Sequence, residues 1–238
     1  MPLMRLDKYL SECTALSRSR LREIIKNGSV CVDDVPVRSP EQKLDSDTAK
    51  VTLDGKPVRY EKICYYMLNK PSGLLSATDD KKQKTVIDLF PAELRKKNLF
   101  PVGRLDKDTT GLLIITNDGE FAHRVISPKS EIVKTYRACT ESPVDDADVE
   151  AFRQGIVLAD GTQCLPAGLE KLPDGSCLVR VMEGKYHQVR RMMASRNMTV
   201  TYLERRQEGT LTLGDLPRGR SRELTEEEIA QLEGKTQP

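Results

Sequence analysis

Two carboxylates, Asp106 and Asp108, lie in a short polar segment between Gly103 and Gly111. The apolar run at residues 112–115 follows and ends at an Asn-Asp-Gly turn, which is the pattern of a short buried strand. The two glycines allow the backbone before the strand to bend sharply. A carboxylate held in such a loop can act as a nucleophile or stabilise developing positive charge. The pattern therefore predicts an active-site loop.

A calcium-binding loop is the first alternative for this segment. Asp106, Asp108, Thr110 and Gly111 occupy the first, third, fifth and sixth positions of an EF-hand pattern. The twelfth position, however, is Asn117 where a bidentate Glu is needed, and the residues before it form a strand-like apolar run. The sequence therefore argues against calcium. A polar turn whose aspartates only cap backbone groups is the second alternative, and the neighbouring motifs disfavour it.

Three further motifs accompany the loop along the chain. They are, in order, Met-Leu-Asn-Lys-Pro-Ser-Gly at 67–73, Lys-Thr-Tyr-Arg at 134–137, and Glu-Gly-Lys-Tyr-His-Gln-Val-Arg-Arg-Met at 183–192. Together with Gly-Arg-Leu-Asp-Lys-Asp-Thr-Thr-Gly-Leu-Leu at 103–113, they resemble the motifs of the RsuA branch of the pseudouridine synthases, enzymes that isomerise uridine in ribosomal RNA. The resemblance extends over nearly the whole chain.

The resemblance implies roles for three residues. In this family the aspartate of the loop is the nucleophile, the tyrosine of the Lys-Thr-Tyr motif contacts the target base, and a basic residue of the last motif pairs with the aspartate. Carried over to this sequence, these are Asp106, Tyr136 and Arg190. The reaction breaks the bond from ribose to a base nitrogen, turns the base and joins ribose to carbon 5 of uracil. It implies no metal and no organic cofactor.

This chemistry explains the residue types. The carboxylate must be ionised to act; burial disfavours its charged form and a nearby guanidinium favours it, which is the role predicted for Arg190. Tyr136 lies in a β-type run, from which its ring could stack on uracil and its hydroxyl could help to remove the proton from carbon 5. A tyrosine that only packs in a half-buried sheet is the alternative interpretation.

Basic residues are predicted to contact the RNA. The net charge is only +2, so a local patch rather than the total charge has to indicate nucleic-acid binding. The first 28 residues contain six basic side chains and three acids, which forms such a patch. The predicted RNA contacts are Arg5, Lys8, Arg18, Arg20, Arg22, Lys26, Lys70, Arg104, Lys134, His187, Gln188 and Arg191. Solvated helix arginines, and for Lys70 a solvated turn lysine, are the alternative interpretations.

Residues 1–60 have an organisation of their own. A short helix is predicted at 5–13, and a second helix begins after a cap at Ser17. A β-hairpin at 29–38, with its turn at Asp33-Asp34, and a strand at 51–55 follow. This pattern resembles the small RNA-binding module first described in a small-subunit ribosomal protein. An ordinary helical hairpin is the alternative.

The predicted fold class is α+β. After the small α/β module at 1–60, residues 61–238 are expected to form a catalytic domain with a mixed, mainly antiparallel β-sheet and flanking helices, the fold that the resemblance implies. Asp-Gly turns at 118–119, 160–161 and 174–175 separate short β-type runs. Helices are predicted at 86–90, 121–126, 145–154 and 187–196, and a final short one begins within 224–229.

Composition favours an intracellular enzyme. With 238 residues and 38% hydrophobic content, the chain can build one sizeable core and a small module. The six cysteines have no CxxC spacing and only two histidines accompany them, so no zinc site is expected. No apolar run of transmembrane length and no signal peptide is recognised, so we expect a cytoplasmic monomer that does not bind membranes. Its expected partner is ribosomal RNA or a pre-ribosomal particle.

Within the family, several features favour the members that modify one uridine of small-subunit (16S) rRNA. They are Asp79-Asp80, the Asp-Lys-Asp form of the loop, the Ser127-Pro128 junction and the short C-terminal end. An enzyme for a large-subunit (23S) site and a non-catalytic rRNA-binding protein are the alternatives. A carboxylate-dependent glycosidase would need a second acid as proton donor, for which Asp108 is the only nearby candidate.

Overall fold

The computed structural model of the chain describes residues 3–14, 16–58, 60, 63–127 and 130–234. By their internal contacts these residues divide into two compact units, Met1–Ile63 with Phe90–Leu99, and Cys64–Leu89 with Phe100–Pro238. The predicted boundary between residues 60 and 61 falls beside residues 59, 61 and 62, which lie outside the described residues, and it stays a prediction. The same holds for Pro128 of the Ser127-Pro128 junction.

The first unit combines two helices with short strands. Its elements are β1 (Leu3–Arg5), α1 (Leu6–Cys13), α2 (Arg18–Lys26), β2 (Val30–Val32), β3 (Val35–Val37), β4 (Lys43–Asp45), β5 (Val51–Leu53), β6 (Lys56–Val58) and α3 (Ala92–Arg95). Strands β3-β2-β5-β6 form an antiparallel sheet in that order, and β1 pairs with β4. The two predicted helices and the hairpin are confirmed.

Local sequence explains these elements. The Ser17 hydroxyl accepts a hydrogen bond from the Arg20 backbone N–H, which satisfies one free donor at the start of α2. Leu21 and Ile25 lie one turn apart on α2 and are buried in the core of this unit. Asp33 and Asp34 have φ values of 50° and 65°, which suits the tight turn between β2 and β3.

The second unit is built on one large sheet. Its elements are β7 (Tyr65–Lys70), a 3₁₀ helix (Val86–Leu89), β8 (Phe100–Pro101), β9 (Thr110–Thr116), α4 (Gly119–Ile126), β10 (Lys134–Thr140), α5 (Asp146–Gln154), β11 (Gly168–Lys171), β12 (Cys177–Val181), α6 (Gln188–Ala194), β13 (Val200–Glu208), β14 (Leu211–Thr212), β15 (Ser221–Glu223) and α7 (Glu226–Leu232). The strand order is β11-β12-β10-β13-β9-β7-β15, with β14 beside β13 and β8 beside β9. Among the described strands of this sheet, only β13 and β9 pair in parallel.

Helices pack on the sheet over two apolar clusters. One cluster joins β10, β12 and β13 to α5 and α6, and the other joins β7 and β9 to α4 and α7. All seven residues of β9 are buried, as expected for a central strand of a covered sheet. The α+β prediction with a mainly antiparallel sheet is therefore confirmed.

The predicted helices at 121–126, 145–154 and 187–196 correspond to α4, α5 and α6, with shifts of a few residues at their ends. The predicted helix at 86–90 is a short 3₁₀ turn instead. The final helix begins at Glu226, because the Thr225 side chain caps it by accepting from the Glu228 backbone N–H. Within the described part of the chain, no helix is long and apolar enough to cross a membrane.

Candidate active site

The loop at 103–109 joins β8 to β9 and carries Asp106. Lys70, the last residue of β7, is completely buried behind this loop. Its ammonium donates hydrogen bonds to the carbonyl oxygens of Asp106 at 3.1 Å, Lys107 at 3.0 Å and Thr109 at 2.9 Å, and also to Pro71 at 3.2 Å. Four carbonyl oxygens therefore converge on one cation, which holds the loop in a single conformation.

The position of Lys70 corrects one prediction. A fully buried ammonium that donates to backbone carbonyls cannot contact a phosphate, so the RNA-contact assignment for Lys70 is wrong. Burial lowers the pKa of Lys70 to about 8, although the carboxylates of Asp108 and Asp106 oppose that shift. The lysine of the Asn-Lys-Pro motif is thus a structural part of the site.

Ser76 holds the same loop from another side. Its hydroxyl donates to the Leu105 carbonyl oxygen at 2.8 Å and accepts from the Leu105 backbone N–H at 3.1 Å. The Gly73 backbone N–H donates to the Lys107 carbonyl oxygen at 2.8 Å. The segment after β7 therefore fixes the backbone on both sides of Asp106. No motif in the sequence singles out Ser76 for this role.

Asp106 lies between two basic side chains of the 183–192 motif. Its carboxylate is 3.4 Å from His187 Nε2 and 4.0 Å from Arg190 Nε, and it also accepts a long hydrogen bond from the Thr109 hydroxyl at 3.5 Å. The Asp106 side chain is 26% exposed, so it remains open to a substrate. This geometry places basic groups beside a carboxylate that stays accessible.

Arg190 contacts more than the predicted aspartate. Its Nη2 is 2.9 Å from Asp108 Oδ2, and its Nη1 donates to the Val200 carbonyl oxygen at 3.1 Å. The buried Nε, which faces Asp106, makes no hydrogen bond within the described residues. Asp108 is therefore the nearer partner of the guanidinium, and Arg190 bridges the two carboxylates of the loop.

The turn before α6 brings these basic residues to the loop. His187 has a φ of 47°, a left-handed conformation that is unusual for a residue other than glycine. Gln188 stabilises this turn, because its side chain accepts from the Lys185 backbone N–H and donates to Glu183, each at 3.0 Å. Gln188 is buried in this role, and its assignment as an RNA contact stays a prediction.

Tyr136 lies on β10 opposite Arg205 of β13. Burial of the hydroxyl raises the pKa of Tyr136, and the Arg205 guanidinium, which interacts with that hydroxyl, opposes the shift. Arg205 Nε donates to the Leu112 carbonyl oxygen at 2.7 Å, and Arg205 Nη2 is 3.2 Å from Glu208 Oε2. An ion pair therefore lies beneath the tyrosine, with each of its side chains only 4% exposed.

Lys134 belongs to the same buried region. It is opposite Glu208 in the sheet, and burial lowers its pKa while the Glu208 carboxylate raises it. Its assignment as an RNA contact stays a prediction. Sequence reasoning missed Arg205 and Glu208, because charged residues in a run such as Leu-Glu-Arg-Arg-Gln-Glu at 203–208 normally indicate an exposed surface.

A cleft in the second unit collects the reactive groups. It is lined by the loop residues Arg104, Asp106 and Thr109, by Tyr136, and by part of the 183–189 segment, including His187 and Gln188. Arg104 is exposed at this cleft. Arg191 faces elsewhere, since it pairs with Asp160 and donates to the Tyr186 carbonyl oxygen. Among the described residues, no group of His, Cys, Asp or Glu side chains is placed to hold a metal ion.

The other predicted RNA contacts lie in the first unit. Lys8, Arg18, Arg20, Arg22 and Lys26 are exposed and Arg5 is half-buried. Arg5 and Arg22 both reach the buried Asp7, and the hydrogen bond from Arg5 holds the pKa of that carboxyl below its ordinary value. Asp7 therefore fixes Arg5 at the end of β1 and Arg22 on α2.

Comparison with known proteins agrees with these observations. The model of the RNA pseudouridylate synthase family matches residues 64–195, and the model of the S4 domain matches residues 4–48. An uncharacterized RNA pseudouridine synthase of Bacillus subtilis is 42% identical over 231 residues, which covers 95% of this chain and 97% of that protein. The ribosomal small subunit pseudouridine synthase A of Escherichia coli is 39% identical over 232 residues, covering 96% of this chain and all of that protein.

A solved structure is also similar over the full length. A crystal structure of a pseudouridylate synthase aligns with a TM-score of 0.68 and 35% identity, covering 96% of this chain and 99% of the other. The likeness therefore extends over both compact units.

Proposed function

Because this chain belongs to the RNA pseudouridylate synthase family and carries an S4 domain, we propose that it isomerises one uridine of 16S rRNA to pseudouridine, with Asp106 as nucleophile. The family makes the chain an isomerase that acts on RNA. The small-subunit target is supported by the similarity to enzymes named ribosomal small subunit pseudouridine synthase A, of which the one from Vibrio cholerae is 39% identical over 96% of this chain. An enzyme for a 23S site is the remaining alternative.

The surroundings of Asp106 carry the catalytic part of the proposal. The reaction has to break the bond between ribose and N1 of uracil and then form a bond from ribose to C5. An accessible carboxylate can attack covalently or stabilise positive charge as the first bond opens. The side chains of His187 and Arg190, at 3.4 Å and 4.0 Å, place basic groups beside the carboxylate that either path uses.

Tyr136 is proposed to hold the base in the cleft. Its ring lines the same cleft as Asp106, where it can stack on uracil. Because burial raises its pKa, the hydroxyl carries its proton at neutral pH. To accept the proton from C5 it would first have to give up its own, and the Arg205 cation beneath it stabilises the phenolate that this would produce.

The target uridine has to leave its stack before the reaction begins. The cleft is lined by side chains from several segments, and a carboxylate there cannot reach the glycosidic bond of a base stacked in a helix. The S4 domain supplies a separate basic surface through Arg18, Arg20 and Arg22, which suits phosphate contacts that position the RNA. We infer that the enzyme acts as a cytoplasmic monomer on rRNA or on an assembling ribosomal particle.

Mapping of modified uridines tests the proposal. Pseudouridines in 16S and 23S rRNA are compared between cells that lack the protein and the same cells supplied with the wild type or with Asp106→Asn. We expect one 16S uridine to be modified only with the wild type. Restoration by Asp106→Asn at equal protein level would contradict the assigned nucleophile, and a site in 23S rRNA would contradict the assigned target.

A further inference from the structure

An exposed aromatic side chain stands beside the catalytic cleft. Tyr186 is 75% exposed, more than any other large apolar side chain among the described residues. It belongs to the turn at 183–187 that leads into α6 and that also lines the cleft. A phenol ring in that position contributes little to a core, and no step of the isomerisation described above uses it.

One face of the Tyr186 ring is already stacked. The ring lies on the imidazole of His187 with a centroid distance of 3.9 Å and an interplanar angle of 16°. His187 in turn reaches Asp106 through Nε2 at 3.4 Å. His187 therefore links Asp106 to the Tyr186 ring, and the exposure of that ring leaves room for a further planar group.

The backbone of this turn is well anchored. The Arg191 guanidinium donates to the Tyr186 carbonyl oxygen at 3.4 Å and pairs with Asp160. The Gln188 side chain and the left-handed conformation of His187 fix the residues that follow. An aromatic ring on such a support loses little conformational entropy when a ligand binds to it, which favours a binding role.

Base flipping supplies a planar partner. When the target uridine leaves its stack, the base next to it loses a stacking neighbour. A protein aromatic ring can replace that neighbour, and stacking is how proteins commonly hold unpaired bases. The partner of Tyr186 must lie close to the target, because the His187 ring contacts both Tyr186 and Asp106.

We propose that the exposed ring of Tyr186 stacks on the nucleobase adjacent to the flipped uridine and thereby positions the RNA at Asp106. This inference rests on the proposed isomerisation of an rRNA uridine. In this role Tyr186 is a positioning residue whose effect depends on the presence of a neighbouring base. The role requires the aromatic ring of Tyr186 but not its hydroxyl.

The test uses short synthetic RNAs that contain the uridine converted by the wild type in rRNA. In two further RNAs an abasic nucleotide replaces either the 5′ or the 3′ neighbour. The value of kcat/KM is measured for the wild type, Tyr186→Ala and Tyr186→Phe. Val157→Ala is the matched control, because Val157 is 57% exposed in the same unit and does not line the cleft.

We expect Tyr186→Ala to lower kcat/KM on the intact RNA roughly 5- to 150-fold, the range that corresponds to the stacking of one base on an aromatic ring. Tyr186→Phe and Val157→Ala should remain within about twofold of the wild type. An abasic nucleotide at one of the two neighbouring positions should lower kcat/KM of the wild type about as much as Tyr186→Ala lowers it on the intact RNA. On that abasic RNA, Tyr186→Ala should lower kcat/KM little further.

The outcomes separate this inference from the proposed function. If the wild type converts no uridine in rRNA, so that there is no target around which to design the RNAs, the proposed function is wrong. If the wild type is active and Tyr186→Ala matches it, Tyr186 has no positioning role. Equal losses for Tyr186→Ala on the intact RNA and on both abasic RNAs would show that the ring acts on something other than a neighbouring base, and would overturn the inference.

Discussion

Gly111 lies where the loop of Asp106 enters β9, and an added methyl group at this position should disturb both the loop and the pairing of β9 with β13. It is the second residue of β9, and its φ of 101° lies in the region that favours glycine. A Cβ built there would lie 2.3 Å from the Arg205 carbonyl oxygen and 2.8 Å from the Arg205 nitrogen. Both are backbone atoms of β13, so they cannot move away as a flexible side chain would.

The expected effect of Gly111→Ala has two parts. The positive φ should destabilise alanine by roughly 1–2 kcal/mol, and forcing β13 away from β9 should add about 1–3 kcal/mol. Since each 1 kcal/mol shifts the melting temperature of a unit of this size by roughly 2–4 °C, we expect the midpoint to fall by at least about 4 °C. Because β9 begins directly after the loop of Asp106, the isomerisation rate should fall by about 100-fold or more.

The assay compares thermal unfolding and single-turnover rates of the wild type, Gly111→Ala and Gly119→Ala. Gly119 is the first residue of α4, and a Cβ added there would meet no atom within 4 Å. Gly119→Ala should therefore leave the midpoint unchanged or raise it slightly. If Gly111→Ala melts at the same temperature as the wild type, or if Gly119→Ala lowers the melting temperature as much as Gly111→Ala does, the close approach of β13 to β9 is not what requires glycine at position 111.

Three further predictions concern the loop anchor, the tyrosine and the basic surface. Burial lowers the pKa of Lys70 from 10.5 to about 8, so the unfolded chain binds this proton more tightly than the folded chain does. The free energy of unfolding of the wild type should therefore rise with pH between those values, relative to that of Lys70→Met. Urea midpoints of the two proteins that change in parallel from pH 7.5 to 9.5 would contradict this. The raised pKa of Tyr136 keeps its hydroxyl protonated, so a role as base requires this proton to leave, and hydrogen release from C5 should accelerate from pH 7 to 9 in the wild type. Tyr136→Phe should still bind RNA but show no such pH dependence. Identical pH profiles for the two proteins would exclude the hydroxyl from that step. Replacing Arg18, Arg20 and Arg22 with Ala should weaken RNA binding without changing the rate on saturating RNA. The slope of log binding constant against log salt concentration should become shallower by up to about 3. An unchanged slope would show that this surface does not contact phosphate.

Several elements could be predicted from the sequence because local signals determine them. The cap at Ser17, the turn at Asp33-Asp34 and the apolar run of β9 are recognised from neighbouring residues alone. The resemblance of four motifs was sufficient for the family. These features depend on spacing and residue type, which a single sequence contains.

The charged residues inside the second unit could not be predicted in this way. Lys70, Lys134 and Glu208 are polar by type, and their burial depends on carbonyl oxygens and charges that other segments supply. Residue type alone therefore predicts an RNA contact for Lys70, and it does not indicate the buried pair of Arg205 and Glu208. The choice of Arg190 between Asp106 and Asp108 likewise depends on the conformation of the loop.

We propose that Asp106 carries the reaction, and loss of the hydrogen on C5 of uridine tests this most directly. Joining C5 to ribose displaces the hydrogen on C5, so release of tritium from 16S rRNA labelled at C5 of uridine reports the complete isomerisation. Asp108→Asn is the matched control, because Asp108 lies in the same loop but is 66% exposed and pairs with Arg190. Under single-turnover conditions, Asp106→Asn should lose several powers of ten in rate, on the order of 4 kcal/mol or more, while it binds RNA within a few-fold of the wild type. Asp108→Asn should retain much more activity. If Asp106→Asn keeps even about a hundredth of the wild-type rate, another residue performs the chemistry and the account is wrong.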